Sequence, residues 1–291
     1  MHSENSSDRI ACLYGLSDLA CERRRADLSV SGVEFKKSFD SGYLWERLRI
    51  TSSEGAKSIG KPIGNYDTLT LTALSEFDDE EIEDAANEIA KELCLCFERI
   101  GTTPGRLLVA GLGNRDLTPD SIGPRAAEKI HATMHFKKFN PSLFDDSSYS
   151  EIAVCIPGVS AKTGLESSDI LAAVCERIEP DAVIAIDSIA SRSAKRLGNT
   201  IQICDTGISP GSGIGNRRRS LNYSILGAPV ISIGVPTVIS TRALTARNEY
   251  TDSVGLNDEL EMFVSPKEID VIAEVSSKII ASGINQAFGI F

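Results

Sequence analysis

The middle of the chain carries a rhythm that leaves few folds open. Short unbroken apolar runs alternate there with segments of helical period. RLLVAGLG (106–113) precedes a helical stretch from about Thr118 to Met134, and EIAVCIP (151–157) precedes one from about Ser167 to Ile178. AVIAID (182–187) is then followed by two more strand-like runs, IQICD (201–205) and PVISIGVP (229–236). A strand that is apolar at every position, rather than at every second one, is covered on both faces, as in a parallel sheet sandwiched by helices. The expectation is an α/β fold, a mainly parallel twisted sheet with helices on both faces. Ligands of such sheets gather at the carboxyl ends of the strands.

The flanks read differently. From Tyr43 to Ala73 the β-type runs YLWERLRIT and YDTLTLTAL are broken by Gly55, Gly60, Pro62 and Gly64, the pattern of a small antiparallel β layer near the N-terminus. From Ser75 to Ile100, Ile82, Ala86, Ile89, Leu93 and Ile100 recur at helical spacings behind an acidic first turn. The end, Ser265 to Phe288, reads as an amphipathic helix opened by Ser-Pro-Lys-Glu, with serine as cap and proline in the first turn. Residues 1 to about 25 are polar, poor in core formers, and end in Arg23-Arg24-Arg25. The expected organisation is a detachable leader over 1–24 and one α/β domain over 25–291, with a β-rich appendage at 25–75 and the core at 76–291.

A formal charge of -11 and a pI near 4.9 exclude bulk attraction to nucleic acid or an anionic membrane, which needs clustered positive charge. A small molecule or a protein is left as substrate. Seven cysteines, an odd number without a CxxC pair, fit small hydrophobes in a reducing compartment, the cytoplasm. No apolar run reaches the ~18 residues of a membrane span, and MHSENSSDRI lacks the basic and hydrophobic regions of a signal peptide.

The chemistry centres on GLGNRDLTPDSIGP (111–124). Asp120 lies in the loop that leaves the first core strand, and Asp187 ends the run AVIAID, so both carboxylates are expected on one edge of the sheet. Two close carboxylates cannot both ionise cheaply; they share a proton, and one serves as base toward water while the other serves as acid. Taken singly, each is equally a helix cap or turn former. GLGN is a fragment of GxGxxG, but Arg115 and Asp116 follow where the third glycine belongs, and Asp116 repels a pyrophosphate. Asn114 of that loop is a second-tier candidate, as is Asp205, whose DTG follows an apolar strand as in pepsin-like enzymes but in an α/β setting.

The stretch SPGSGIGNRRR (209–219) combines an anion nest with Arg217, Arg218 and Arg219, readable as a solvated turn or as a carboxylate reader. Lys162 in PGVSAKTGLE is an exposed turn lysine or a partner for Ser160. His131 and His135 stand at helical i, i+4 spacing, but Ala132 replaces the glutamate that follows the first histidine in zinc proteases; a surface pair is the plainer account.

Taken together, EGAKSIGKPIGNYDTLTL, VAGLGNRDLTPDSIGP, IPGVSAKTGLESSDI, PDAVIAIDSIASRS, TIQICDTGISPGSGIGNRRR, LGAPVISIGVPTV and FVSPKEIDVIAEVSSKIIASGINQAF resemble the germination protease family, in order from about residue 25 to 288. The resemblance implies peptidases that initiate degradation of small acid-soluble spore proteins during germination, an α/β fold like that of hydrogenase maturation proteases (phosphorylase-like), a homotetramer, and an atypical aspartic mechanism without metal or cofactor. It places the catalytic pair on Asp120 and Asp187 and the protein in the cytoplasm of the forespore or spore core. It also implies an inactive zymogen that removes its own leader near Arg-x-Asp-Leu, here Arg25-Ala26-Asp27-Leu28, so that Arg24, Arg25 and Asp27 mark the processing region. Substrates of the family are cut next to a glutamate, which gives Lys162 or Arg217 to Arg219 a carboxylate to bind. This chain departs from the pattern in its long leader with three arginines and in a short segment between TRALTARN and ELEMFVSPKEID. Two other readings stand beside this one: a nucleotide or small-ligand binding domain using the GLGN and GSGIGN loops, and a hydrogenase-maturation-type endopeptidase, against which the shortage of histidines counts.

Overall fold

Strand β4 (Arg106–Gly111) and strand β6 (Ala182–Ser191) explain why the centre of the sequence is so uniformly apolar. Alternate side chains of each point to opposite faces of the sheet. Leu107, Val109, Ala182, Ile184 and Ile186 enter a core beneath the helices Asp79–Ile100, Ile122–Ala127 and Ile269–Phe288, while Leu108, Ala110, Val183 and Ala185 enter one shared with the helix Ser167–Ile178. The computed structural model describes residues 17–24, 30–139, 149–215, 218–245 and 262–289.

The remaining strands are β1 (Val33–Asp40), β2 (Tyr43–Ile50), β3 (Gly64–Thr70), β5 (Glu151–Cys155), β7 (Thr200–Cys204), β8 (Val230–Ser240) and β9 (Phe263–Val264). They form one sheet in the order β1-β2-β3-β7-β8-β6-β4-β5, with β9 on the end of β8. Strands β8, β6, β4 and β5 run parallel, whereas β1, β2, β3, β7 and β8 pair antiparallel. The expected α/β architecture with helices on both faces is present. Its N-terminal antiparallel strands are not a separate layer, because β3 pairs with β7 from Tyr66 opposite Cys204 to Thr70 opposite Thr200 and carries the same sheet outward.

The longest helix is sharply bounded. Asp78 and Glu81 form a reciprocal capping box at its start, and Gly101 closes it in the left-handed conformation. Two expected helices need correction. The stretch from Thr118 to Met134 is a 3-10 turn (Thr118–Asp120), a short helix (Ile122–Ala127) and, after a break, a helix at Met134–Phe139. The break arises because Thr133 is drawn to β5: its N–H donates to Ile152 O (2.9 Å) and its hydroxyl accepts from Ile152 N–H (2.8 Å). His131 and His135 therefore do not share a helix. The last helix begins at Ile269, not Ser265, because β9 keeps the chain extended through Val264 and Glu268 takes the cap position.

No helix of the described residues is long and apolar enough to cross a membrane. The short segment before the last helix, noted above for its length, lies outside the described residues.

Candidate active site

The two aspartates come to line one cavity through a tight packing of backbone. Gly123, near the start of the helix Ile122–Ala127, sits so close to the sheet that a Cβ there would stand 2.2 Å from Leu112 O and 2.4 Å from Ile186 O. No other residue fits. This contact lays the preceding turn, which carries Asp120, over the residue that follows Ile186, namely Asp187. Gly113, at φ +110, folds the GLGN loop back until its missing Cβ would lie 2.2 Å from Asp120 O. The Asn114 N–H then donates to Asp120 Oδ2 (2.9 Å) and to its carbonyl (2.9 Å). The glycine loop is closed on its own aspartate; the amide a phosphate would need is already given.

Asp187 is not the last residue of its strand. Its neighbour β4 pairs only as far as Gly111 opposite Ile186, while β6 and β8 run on together beyond Asp187 opposite Gly234. The carboxylate therefore stands at the end of β4 yet within a strand, 4 % exposed, and its Oδ1 accepts from Ser188 N–H (2.9 Å). Asp120, Asp187, Arg218, Ser188, Thr237 and Asp18 are among the residues lining a cavity of about 350 Å³. Burial above all, then the neighbouring Asp120 and Asp18, push Asp187 well above the usual carboxylate range. Burial also raises Asp120, opposed by the Asn114 N–H and the Arg218 charge. Burial and charge thus raise both carboxyls, Asp187 further than Asp120.

The other expected residues scatter. Arg218 lines the cavity, but Arg219 pairs with Asp169 on the surface (3.1 Å), and Arg217 lies outside the described residues. Lys162 forms an exposed ion pair with Asp116 on the GLGN loop, holding that carboxyl below its ordinary range, and does not line the cavity. Asp205 accepts from the backbone and side-chain N–H groups of Asn65 (2.8 and 2.6 Å), fastening β3 to β7. Arg24 stacks over Phe35, 4.6 Å from the ring centre, while Arg25 and Asp27 lie outside the described residues.

Three cavity groups escaped the sequence reading. Asp18, within residues 1–24 expected as a leader, gave no signal beyond being acidic. Ser188 Oγ and Thr237 Oγ1 are buried without a hydrogen-bond partner among the described residues; ISIGVPTVIS reads simply as strand. Elsewhere Asp67, Glu92 and Cys96 lie close enough to hold a metal ion, yet Arg99 Nη2 already reaches all three at 2.8, 3.0 and 2.8 Å.

A sheet edge that presents a proton-holding carboxyl beside a more readily ionised carboxylate is equipped for acid–base hydrolysis. The chain belongs to the germination protease family and is a protease: the family model described as germination protease matches residues 17–254. The germination protease of Clostridium perfringens (strain ATCC 13124) is 36% identical over 93% of this chain and 94% of its own length. That of Caldanaerobacter subterraneus subsp. tengcongensis is 36% identical over 93% of each, and that of Priestia megaterium 39% identical over 75% of this chain and 58% of its own. Among solved structures, a NiFe hydrogenase maturation protease HycI from Thermococcus kodakarensis KOD1 matches at a TM-score of 0.37 and 17% identity, covering 65% of this chain and 98% of that one.

Proposed function

We propose that this protease is the endopeptidase that opens small acid-soluble spore proteins at germination, and that Asp120 and Asp187 carry out the hydrolysis. The observation that supports it is the shared cavity of the two carboxylates, where burial raises the proton affinity of both and the charge of Asp120 raises that of Asp187 further. Asp120, as base, takes a proton from water as the oxygen forms its bond to the scissile carbonyl carbon; Asp187, as acid, gives its proton to the carbonyl oxygen. The tetrahedral species then collapses: the amine nitrogen takes the proton from Asp120, the C–N bond breaks, and Asp187 recovers a proton from a hydroxyl of the collapsing carbon. Arg218 biases Asp120 toward the ionised form. The chain needs no metal or organic cofactor for these steps.

In this reading the protein is made as a zymogen whose leader ends near Arg24 to Asp27, acts as a homotetramer, and works in the cytoplasm of the forespore or spore core. The test is incubation of the purified chain, with and without Asp120→Asn or Asp187→Asn, with a small acid-soluble spore protein, followed by mass spectrometry. Cleavage by the unmodified chain after leader removal, lost in both folded variants, is expected. Full cleavage by both variants would overturn the assignment.

A further inference from the structure

The second glycine-rich stretch, SPGSGIGN, already holds a carboxylate, and it belongs to the leader. Asp18 Oδ1 accepts from Ser212 Oγ (2.5 Å), and Asp18 Oδ2 accepts from Ala190 N–H (3.0 Å). Gly213 makes room for it: a Cβ there would lie 2.3 Å from Asp18 Oδ2. The backbone is held as well. Asp18 N–H donates to Ala190 O (2.9 Å), Ala20 N–H donates to Gln202 Oε1 (2.8 Å), and Gln202 Nε2 donates to Asp18 O (3.4 Å).

Four residues on, a second carboxylate is gripped. Glu22 accepts from Ser191 Oγ (2.8 Å) and Arg192 N–H (2.7 Å), with Arg196 Nε at 3.6 Å. Between the two acids, Leu19 and Ala20 are fully buried. Residues 17–22 thus lie as an acidic peptide, clamped through its amides and both carboxylates, with the first acid in the cavity of Asp120 and Asp187. A segment destined only to be discarded needs no such two-point recognition of charge by the strand that carries Asp187.

We propose that this cradle, Ala190 N–H with Ser212 and Gly213 for one carboxylate, Gln202 for the backbone, and Ser191, Arg192 N–H and Arg196 for a second, is the docking site for acidic peptide segments of the substrate, which the leader fills in the precursor. The proposal rests on the peptidase reading for its biological meaning, but its binding content is separable. Removal of the leader empties the cradle and takes the Asp18 carboxylate out of the cavity of Asp120 and Asp187.

The test uses the full chain carrying Asp18→Asn and Glu22→Gln, which loosens its own leader, and a labelled heptapeptide of residues 17–23. Fluorescence anisotropy is expected to give saturable binding, weakened about tenfold or more when the peptide itself carries Asp18→Asn and Glu22→Gln, and weakened comparably by Ser212→Ala in the protein. If the loosened chain melts abnormally, Ser212→Ala alone serves, read as faster tryptic cutting after Arg23 and Arg24. Equal binding of acidic and amide peptides, or trypsin sensitivity unchanged by Ser212→Ala, overturns the cradle. In the processed enzyme, Ser212→Ala should raise KM for an acidic spore protein and leave kcat unchanged. Charge-dependent binding without any proteolysis would uphold the docking site while sinking the peptidase reading. Proteolysis with KM unaffected would do the reverse.

Discussion

Two pairs of carboxylates, Asp67 with Glu92 and Asp120 with Asp187, all buried except the partly exposed Asp120, occupy opposite halves of the sheet and are treated in opposite ways. Asp67 on β3 and Glu92 on the long helix are closed off by arginine: Arg99 reaches both at 2.8 and 3.0 Å, and Arg47 reaches Asp67 at 3.4 Å and Glu92 at 2.5 Å. Asp120 and Asp187 make no ion pair among the described residues and accept only backbone N–H groups there. The first pair fastens a strand to a helix; the second keeps its free oxygens facing a cavity. A buried acid without a partner is costly, and a fold retains such a cost where the oxygens have chemistry to perform. Burial raises Asp67 as well, to about 7, so a raised proton affinity does not by itself separate the two cases. The arginines do.

The sharpest way to break this contrast is to neutralise one acid of each pair. Asp120→Asn and Asp187→Asn are expected to lower kcat by about 10²–10⁴, the usual worth of a positioned acid or base, with the fold intact by circular dichroism. Asp67→Asn should leave kcat within a few-fold of the unmodified enzyme while changing stability. A variant at Asp67 that folds normally but cannot cleave would show that both pairs belong to one site.

Removing cations gives the next largest effect. Arg99→Ala leaves two buried carboxylates to Arg47 alone and should lower the unfolding free energy by about 2 kcal/mol, a figure reduced from that of a fully buried pair because the guanidinium is about a third exposed and Arg47 remains. Arg218→Ala removes the one cation among the described residues that line the cavity of Asp120 and Asp187 and should scarcely alter stability, while slowing cleavage near neutral pH because Asp120 then ionises less readily. Urea denaturation and a pH–rate profile of the two variants separate these expectations.

How much of this was legible in the chain follows from the range of each interaction. The uninterrupted apolar runs could only be two-sided strands, and Asp120 and Asp187 followed from the rule that parallel strands present their carboxyl ends to ligands. The long helix announced its core face through Ile89 and Leu93. What stayed hidden depends on contacts between distant segments. Thr133 breaks a helix only because β5 lies within reach, Asp187 stands inside a strand only because β8 outruns β4, and Asp18 enters the cavity only because Ser212 and Ala190 meet it across more than 170 residues. Lys162 looked available because nothing in the sequence showed Asp116 beside it.

Acidity adds a thermodynamic version of the comparison. A carboxyl whose proton is held more firmly in the folded state contributes stability that is complete below the unfolded pKa, near 4, and is lost as pH rises through the folded value. Asp187 and Asp120 both fall in this class. Asp187→Asn cannot ionise and escapes the loss, so its Tm should gain on that of the unmodified chain as pH rises from about 4 to about 8, by a few degrees. A difference in Tm that stays flat over that range would mean that Asp187 ionises as easily folded as unfolded.

The smallest effect discriminates most finely. Thr237 Oγ1 and Ser188 Oγ are buried, unpartnered among the described residues, and part of the cavity wall. An orphaned hydroxyl in a structural core would be a defect, and its replacement by an isosteric methyl should be neutral or stabilising. In a peptide-binding cavity the same hydroxyl has a second state, in which it meets an amide of the substrate. Thr237→Val is therefore expected to leave Tm unchanged or slightly raised while lowering kcat/KM about five- to tenfold, the worth of one hydrogen bond made only when substrate is present. The corresponding change in the other half of the sheet, Thr68→Val on β3, falls on a residue that does not line the cavity, and should not alter the kinetics of the processed enzyme. Equal kinetic losses at Thr237 and Thr68 would dissolve the distinction between the half of the sheet that binds and the half that holds.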